Sequence, residues 1–594
     1  MHESLVETYP PVLSAVLEGI LATDKRFSLS YREILSTFES HERVLAAAGH
    51  ELPKDGSLPV QLLEQARAVR RRALDAATLN LGPDDYAIIT GEHIYPSDTT
   101  PTQSTPVNPL FETHRLWGYE TEQDMLDTEK DGLMFILPQF VVRAASFSFE
   151  QRQLMELTGG FFFGRRLAMR NVVAGNPFGS LADFRFFSLG PLDMAKGQWT
   201  INPLTETLCR ELHSFVRLRG KCGWSVADLD IAICSLLENR SRANGGTLGF
   251  FDGDRGMSAE LVGGLADAAR LGQLINKPVA QILPLWGDIN MHGDVSLYRK
   301  LFLSSPAMQL LGGDTFTSYL QSVPPLSLHA NFLQAVLKVT ARGLEGLLGA
   351  ARLKPEDSTT IGSLSSLYRH SLLCQMLDIL PEGLGAALQS FPTTAEFFTT
   401  PRATLDLVEA WRGLLEKEWS ASDILSAINP AAARPPAGSS TSKATLSDDE
   451  TQFFASGSRN PLLLNVDPKT PPTLADLVAL ESYRGLRDSA ARTPASIPDL
   501  VQTLSTRPPS QAADIASQFA AAMHWPEARL HQVLVAKYPD VSAEHISKRL
   551  QDLDELVSLG RVMELLLRKV DPAVSVSLLF QMGTPAAPDS LSSS

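Results

Sequence analysis

Cysteine is scarce in this chain and forms no pattern. Cys209, Cys222, Cys234 and Cys374 are the only four in 594 residues, and no two make a C-x-x-C pair. That excludes a disulfide framework as the source of stability. A run of about twenty apolar residues is also missing, so no segment spans a bilayer as a simple helix. A basic surplus is missing too: Lys and Arg total 52 against 67 Asp and Glu, a formal charge of −15. Nucleic acid and anionic membranes both select a basic footprint, so neither is expected as the main partner. No G-x-S-x-G elbow, H-E-x-x-H pair or Gly-Lys-Ser/Thr phosphate loop occurs. The first residues, "MHESLVETYPPVLSAVLEGILATDKR", place acids before a modest apolar run, unlike a secretory signal. The expectation is a soluble product, with export, if any, by a non-classical route.

What is present is ordinary for a folded chain: 44% apolar and 20% charged residues. The length suffices for roughly three to five packing units. Residues 1–80 have helical periodicity, with the basic run "RAVRRRALDAATLNLG" ending at Gly82, read as a helix stop. Residues 92–110 are a Pro/Thr/Ser loop, and 120–210 mix aromatics with Gly in a way that fits short strands or tight turns.

From residue 205 the pattern sharpens. Leu212, Phe215 and Val216 share one helix face, Gly223 breaks that helix, and Ser225 with Asp228 forms a capping box for the next. Val226, Leu229, Ile233 and Leu236 line its inner stripe. This stretch, "CGWSVADLDIAI", returns as "KEWSASDILSAI" at 417–428. A minimal form, Ser or Pro with apolar residues four and eight positions later, occurs at Ser225, Pro278, Ser420, Pro526 and Pro572. Each is expected to be a corner between two helices, and Trp224, Trp286, Trp419 and Trp525 are expected to fill those corners. Pro284 conflicts with the helix after Pro278 and should bend or shorten it. The spacing between corners is uneven, so the array is irregular and not a strict solenoid.

The expected fold is therefore all-α: an irregular multi-helix array of helix–turn–helix hairpins, with a small strand-containing part within 80–210. The expected division is an N-terminal helical region (1–91), an irregular mixed region (92–210) and a main helical block (211–430). A flexible Pro/Ser linker (431–460), a second helical block (461–582) and a disordered tail (583–594) follow.

Chemistry-bearing clusters are few. Cys209 and His213 lie at i, i+4 with Cys222 beyond, but a fourth zinc ligand at useful spacing is missing. Asp252 and Asp254 sit in a Gly-rich loop that lacks a calcium loop's third acid and closing Glu. His292 reads as a loop residue, and the Arg70–Arg72 run as the wet face of a helix. No catalytic, cofactor-binding or metal-ligating residue is assigned, and no cofactor is expected. An enzyme built on residues 120–210 stands as a competing reading; it requires histidines or carboxylates converging in a cleft.

Several segments resemble, in order, the A subunit of Tc toxin complexes, the family that includes the plasmid virulence A protein. They are "LHSFVRLRGKCGWSVADLDIAI", "LADAARLGQLINKPVAQILPLWGDINMHGDVSLYRKLF" and "LSSLYRHSLLCQMLDI". "LGPDDYAIIT", "LWGYETEQDM", "TLADLVALESYRGLRDS" and "FAAAMHWPEARL" are more weakly similar. The resemblance implies a helical shell that acts by assembly in toxin delivery, as a homo-oligomer or with a pore-bearing toxin subunit. It implies contact with a membrane only through such a partner. The long pore helix and β-rich receptor-binding domains of that family have no counterpart in this sequence. The alternative expectation is a stand-alone helical scaffold for protein interactions.

Overall fold

The computed structural model describes residue 45, residues 60–90, 112–126, 205–244, 257–291, 296–304, 324–390, 396–428, 474–489, 500, 511–538, 541–550, 553–568 and 576. It also describes the backbone of three strands within 167–202. The fold is all-α apart from those strands. The expected features at Asp252, Asp254, His292, Pro572, the linker and the tail lie outside the described residues.

The chain separates into two compact units, residues 75–408 and residues 1–74 with 409–594. In the 75–408 unit, the helix Glu206–Cys222 buries Leu212, Phe215 and Val216, as their spacing predicts. The short helix Thr113–Leu116 is pinned to it. Trp117 donates from Nε1 to the Cys209 carbonyl at 3.0 Å, and Arg210 donates to Thr113 Oγ1 at 2.9 Å and to Glu206 Oε1 at 2.7 Å. The buried Trp117 ring also meets His213 edge-on at 5.0 Å between centroids. The helix Val226–Asn244 follows, burying Val226, Leu229, Ile233 and Leu236.

Pro284 does what its ring requires. The helix begun after Pro278 lasts only from Val279 to Ile282, one turn, and the backbone tightens into a 3-10 turn over Leu283–Leu285. Trp286 therefore follows this turn and does not occupy the corner; it is buried, and its Nε1 donates to Thr404 Oγ1 at 2.9 Å. Farther along, the helices Ala341–Ala351 and Pro381–Ser390 approach closely at Gly346. A Cβ there would stand 2.5 Å from the Pro381 carbonyl oxygen, so only glycine permits the crossing.

The strands Leu167–Asn171, Phe184–Asp193 and Gln198–Asn202 form an antiparallel sheet in chain order. The pairing of the last two shifts between Leu189 and Leu192. Gly190 and Pro191 stand at that shift, and Pro191 has no N–H to give to the ladder.

In the other unit, the helices Leu474–Ser489, Ala512–Met523, Glu527–Lys537, Ala543–Arg549 and Leu553–Arg568 enclose one apolar core. Tyr483, Phe519, Leu530, Leu534 and Met563 are among its buried members.

Candidate functional site

The structure's recurring feature is a joint of three residues between consecutive helices. The first residue is left-handed, the second turns inward, and the third caps the next helix. The joints are Asn80-Leu81-Gly82, Gly223-Trp224-Ser225, Asn276-Lys277-Pro278, Lys338-Val339-Thr340, Asp378-Ile379-Leu380, Glu418-Trp419-Ser420 and His524-Trp525-Pro526. All seven left-handed residues are exposed, while the second residue of each is buried or half-buried. The reason is geometric: a left-handed residue just past a helix turns the chain back, so the next side chain meets the turn it has left. In five of the joints the second residue's N–H reaches back five residues. Leu81 donates to Ala76 O at 2.8 Å, Lys277 to Gly272 O at 2.8 Å and Val339 to Gln334 O at 3.0 Å. Ile379 donates to Cys374 O at 3.1 Å, and Trp419 to Leu414 O at 3.1 Å. Those bonds satisfy carbonyls that the ending helix leaves orphaned.

This corrects two sequence expectations. The helix Val60–Thr78 is closed off by left-handed Asn80 (φ 56°), not by Gly82; Gly82 instead accepts at its carbonyl from Tyr86 N and opens the next helix. Pro278 and Pro526 stand at the cap position, one residue before the first helical turn. The rule of apolar residues four and eight positions on places buried side chains after Ser225, Pro278, Ser420 and Pro526. It also holds after Thr340 (Leu344, Leu348) and Leu380 (Leu384, Leu388), two corners that the Ser-or-Pro form missed. A signal for them existed in the threonine cap and in Pro381 at the helix start.

The two Trp-Ser corners share a skeleton. Ser225 Oγ accepts from Asp228 N at 3.0 Å, and Ser420 Oγ accepts from Asp423 N at 3.1 Å. Only the second closes a reciprocal capping box, with Ser420 N donating to Asp423 Oδ2 at 3.3 Å. Their indoles differ more. Trp419 is 2% exposed; its Nε1 donates to Glu481 Oε1 at 2.8 Å, and Arg484 pairs with that carboxylate at 2.9 Å. The Arg484 guanidinium lies 5.8 Å from the Trp419 ring centroid. Trp224 is only half-buried, contrary to expectation, as is Trp525, which packs against the core of its unit.

Ionised groups buried between helices form three further clusters. Asp85 accepts from Arg217 at 2.6 Å and Lys221 at 2.8 Å. Burial pushes its pKa up, but those two cations outweigh burial and hold the carboxyl below its ordinary range. Asp267 faces Arg270 at 3.4 Å and Arg402 at 3.5 Å, while Arg270 lies 3.7 Å from Asp75. Lys537, 1% exposed, pairs with Glu555 at 2.9 Å and donates to Ser558 Oγ at 2.8 Å; Tyr538 donates to the same Glu555 oxygen at 2.9 Å. Each cluster sets carboxylates against cations. What each offers is helix-to-helix fixation.

Cys209 and His213 lie on the inner face of one helix, and burial lowers the His213 pKa to about 3, with Arg217 adding to the effect. Cys222 ends that helix thirteen residues beyond Cys209, about 20 Å away at 1.5 Å per residue, so the three cannot share a zinc ion. Among the described residues no three His, Cys, Asp or Glu side chains are placed to hold a metal ion. No helix among them is long and apolar enough to cross a membrane. A scan against protein-family models finds no matching family, and a search of curated proteins finds no relative.

Proposed function

We propose that this chain is a non-enzymatic helical shell component, similar to the shell of a Tc toxin A subunit, acting by assembly in a toxin-delivery complex. The observation that carries the reading is the seven-fold recurrence of one architectural joint. Both copies of the Trp-Ser form of that joint, at 223–228 and 418–423, lie within the stretch that most resembles the family, residues 205–430. A fold whose repeated sequence feature sets the angle between helices builds surface, and surface is what an assembly subunit supplies. The ion pairs described above support the same reading, since they hold helices to one another.

Co-expression with any pore-bearing chain that the adjacent reading frames encode tests the proposal. The expected result is co-elution in size-exclusion chromatography, with cross-links between the two. A stable monomer that binds no such chain overturns it in favour of the stand-alone scaffold.

A further inference from the structure

The helix Leu474–Ser489 carries two triplets of the same i, i+4, i+7 spacing: Leu477, Glu481 and Arg484, and Ala479, Tyr483 and Leu486. The second is offset from the first by a rotation of about 200° at 3.6 residues per turn, so the two lie on opposite sides of the helix. One side meets the Trp419 corner. Glu481 Oε1 accepts from the indole Nε1 at 2.8 Å, Arg484 pairs with that oxygen at 2.9 Å, and Leu477 on the same side is buried. The other side belongs to the apolar core formed with the helices between Ala512 and Arg568. Tyr483 and Leu486 are buried members of that core, and Ala479 packs against it. The approach is close: a Cβ added at Gly560 would stand 2.8 Å from Leu486 Cδ1.

We propose that this two-sided helix couples the Trp419 corner to that core, so that residues 418–428 and the helices of 512–568 open as one cooperative body across the intervening chain. The corner helix Ala421–Ile428 has eight residues, fewer than the roughly 12–15 at which an isolated helix becomes marginal in water, so it persists through what it packs against. Glu481 and Arg484 stand one turn apart and pair with each other, which presents the indole with a carboxylate already held in place. One backbone carries both sides, so that carboxylate leaves the indole when Tyr483 and Leu486 leave the core. Binding is affected in turn: a partner held by the helices of 512–568 alone stabilises the Trp419 corner by the same free energy, because the corner does not open without them. The coupling stands whether or not the chain assembles with others.

Native-state hydrogen exchange on the full chain, read peptide by peptide in sub-denaturing urea, tests the coupling. In the parent, amides of 421–428, 512–523 and 553–568 should share one opening free energy and one urea dependence. Ile424→Val truncates a buried side chain of the corner, and Ile515→Val a buried side chain of the core. Each should speed exchange in both regions by one common factor, about fivefold. Glu481→Lys sets a cation against the indole N–H and beside Arg484, and should let the corner exchange about tenfold or more faster than the core. Circular dichroism of each variant establishes that it is folded. The coupling is overturned if the parent's corner opens at lower urea than its core, or if each valine substitution speeds only its own region. It is overturned equally if Glu481→Lys leaves the ratio of corner to core exchange unchanged.

Discussion

The corners at 223–228 and 418–423 begin from nearly the same residues and end in different environments. At both, serine caps the incoming helix, and residues four and eight positions on are buried. Yet one indole is sealed and hydrogen-bonded, while the other stays half in solvent. Local sequence therefore dictates the bend, and a distant helix dictates the burial. The two corners also draw their strength from opposite sides. The second is held through its tryptophan, and the first through the helix that enters it, where Arg217 and Lys221 grip Asp85.

The largest expected effect separates the two indoles. Trp419→Ala should destabilise by roughly 3–5 kcal/mol, because it empties a buried site and takes one of two donors from the Glu481 carboxylate. Trp224→Ala should cost only about 1–2 kcal/mol, in keeping with its partial burial. Equal losses in urea unfolding would show that the corners are energetically alike and that burial does not distinguish them.

Next comes the charge that holds the first corner's entry helix. Asp85→Ala leaves the half-buried Arg217 without its carboxylate and should cost about 3 kcal/mol. The exposed side of Lys221 is screened and adds little. Thermal unfolding that is indifferent to this substitution would contradict the assignment.

Acid should also act on the first corner before the second. The entry helix Glu206–Cys222 carries His213, whereas the second corner's entry helix, Pro401–Glu416, has no histidine. The folded His213 resists protonation down to a pH of about 3, but the unfolded chain takes up that proton near pH 6.5. Stability thus falls as pH drops below 6.5, by about 2 kcal/mol at pH 5. His370, whose pKa burial also lowers, pushes in the same direction. Asp85 acts in a lower window: its contribution is full above the unfolded value of 3.8 and is lost as pH falls through its depressed folded pKa. Urea unfolding at pH 7 and pH 5 checks this, and His213→Leu should show a shallower pH dependence than the parent.

The smallest effects lie at the left-handed positions. Glu418→Gly should stabilise by about 1 kcal/mol or less, by relieving a strained conformation, while Gly223→Ala should cost about 1 kcal/mol. Exchange of the two residues between corners should nearly cancel in the unfolding midpoint.

Much of this was legible in the sequence. The stripe of Leu212, Phe215 and Val216, the serine caps, the inner positions after them and the shortening at Pro284 all depend on neighbours within two turns. The stop at Asn80 was misplaced to Gly82 because asparagine tolerates the left-handed region without announcing it, while glycine announces it even when it serves another purpose. Lys338 and Glu418 gave no signal at all, since nothing in either side chain marks a positive φ, and Asp378 gave only the weak tolerance that aspartate shares with asparagine. The three ion-pair clusters were equally silent: Asp85 and Arg217 lie 132 residues apart, and charge spacing along a chain does not report such a meeting.

The amino-acid sequence by itself determined where helices start, which face of each turns inward and that the fold is built from helix corners. Those properties follow from capping and from a 3.6-residue period, both of which act within a few residues. Only the tertiary structure decided which corners are covered, which charges are neutralised and which residues accept left-handed strain. Burial is a property of what arrives from elsewhere in the chain, and the same Trp-Ser corner can be closed at one place and left open at another.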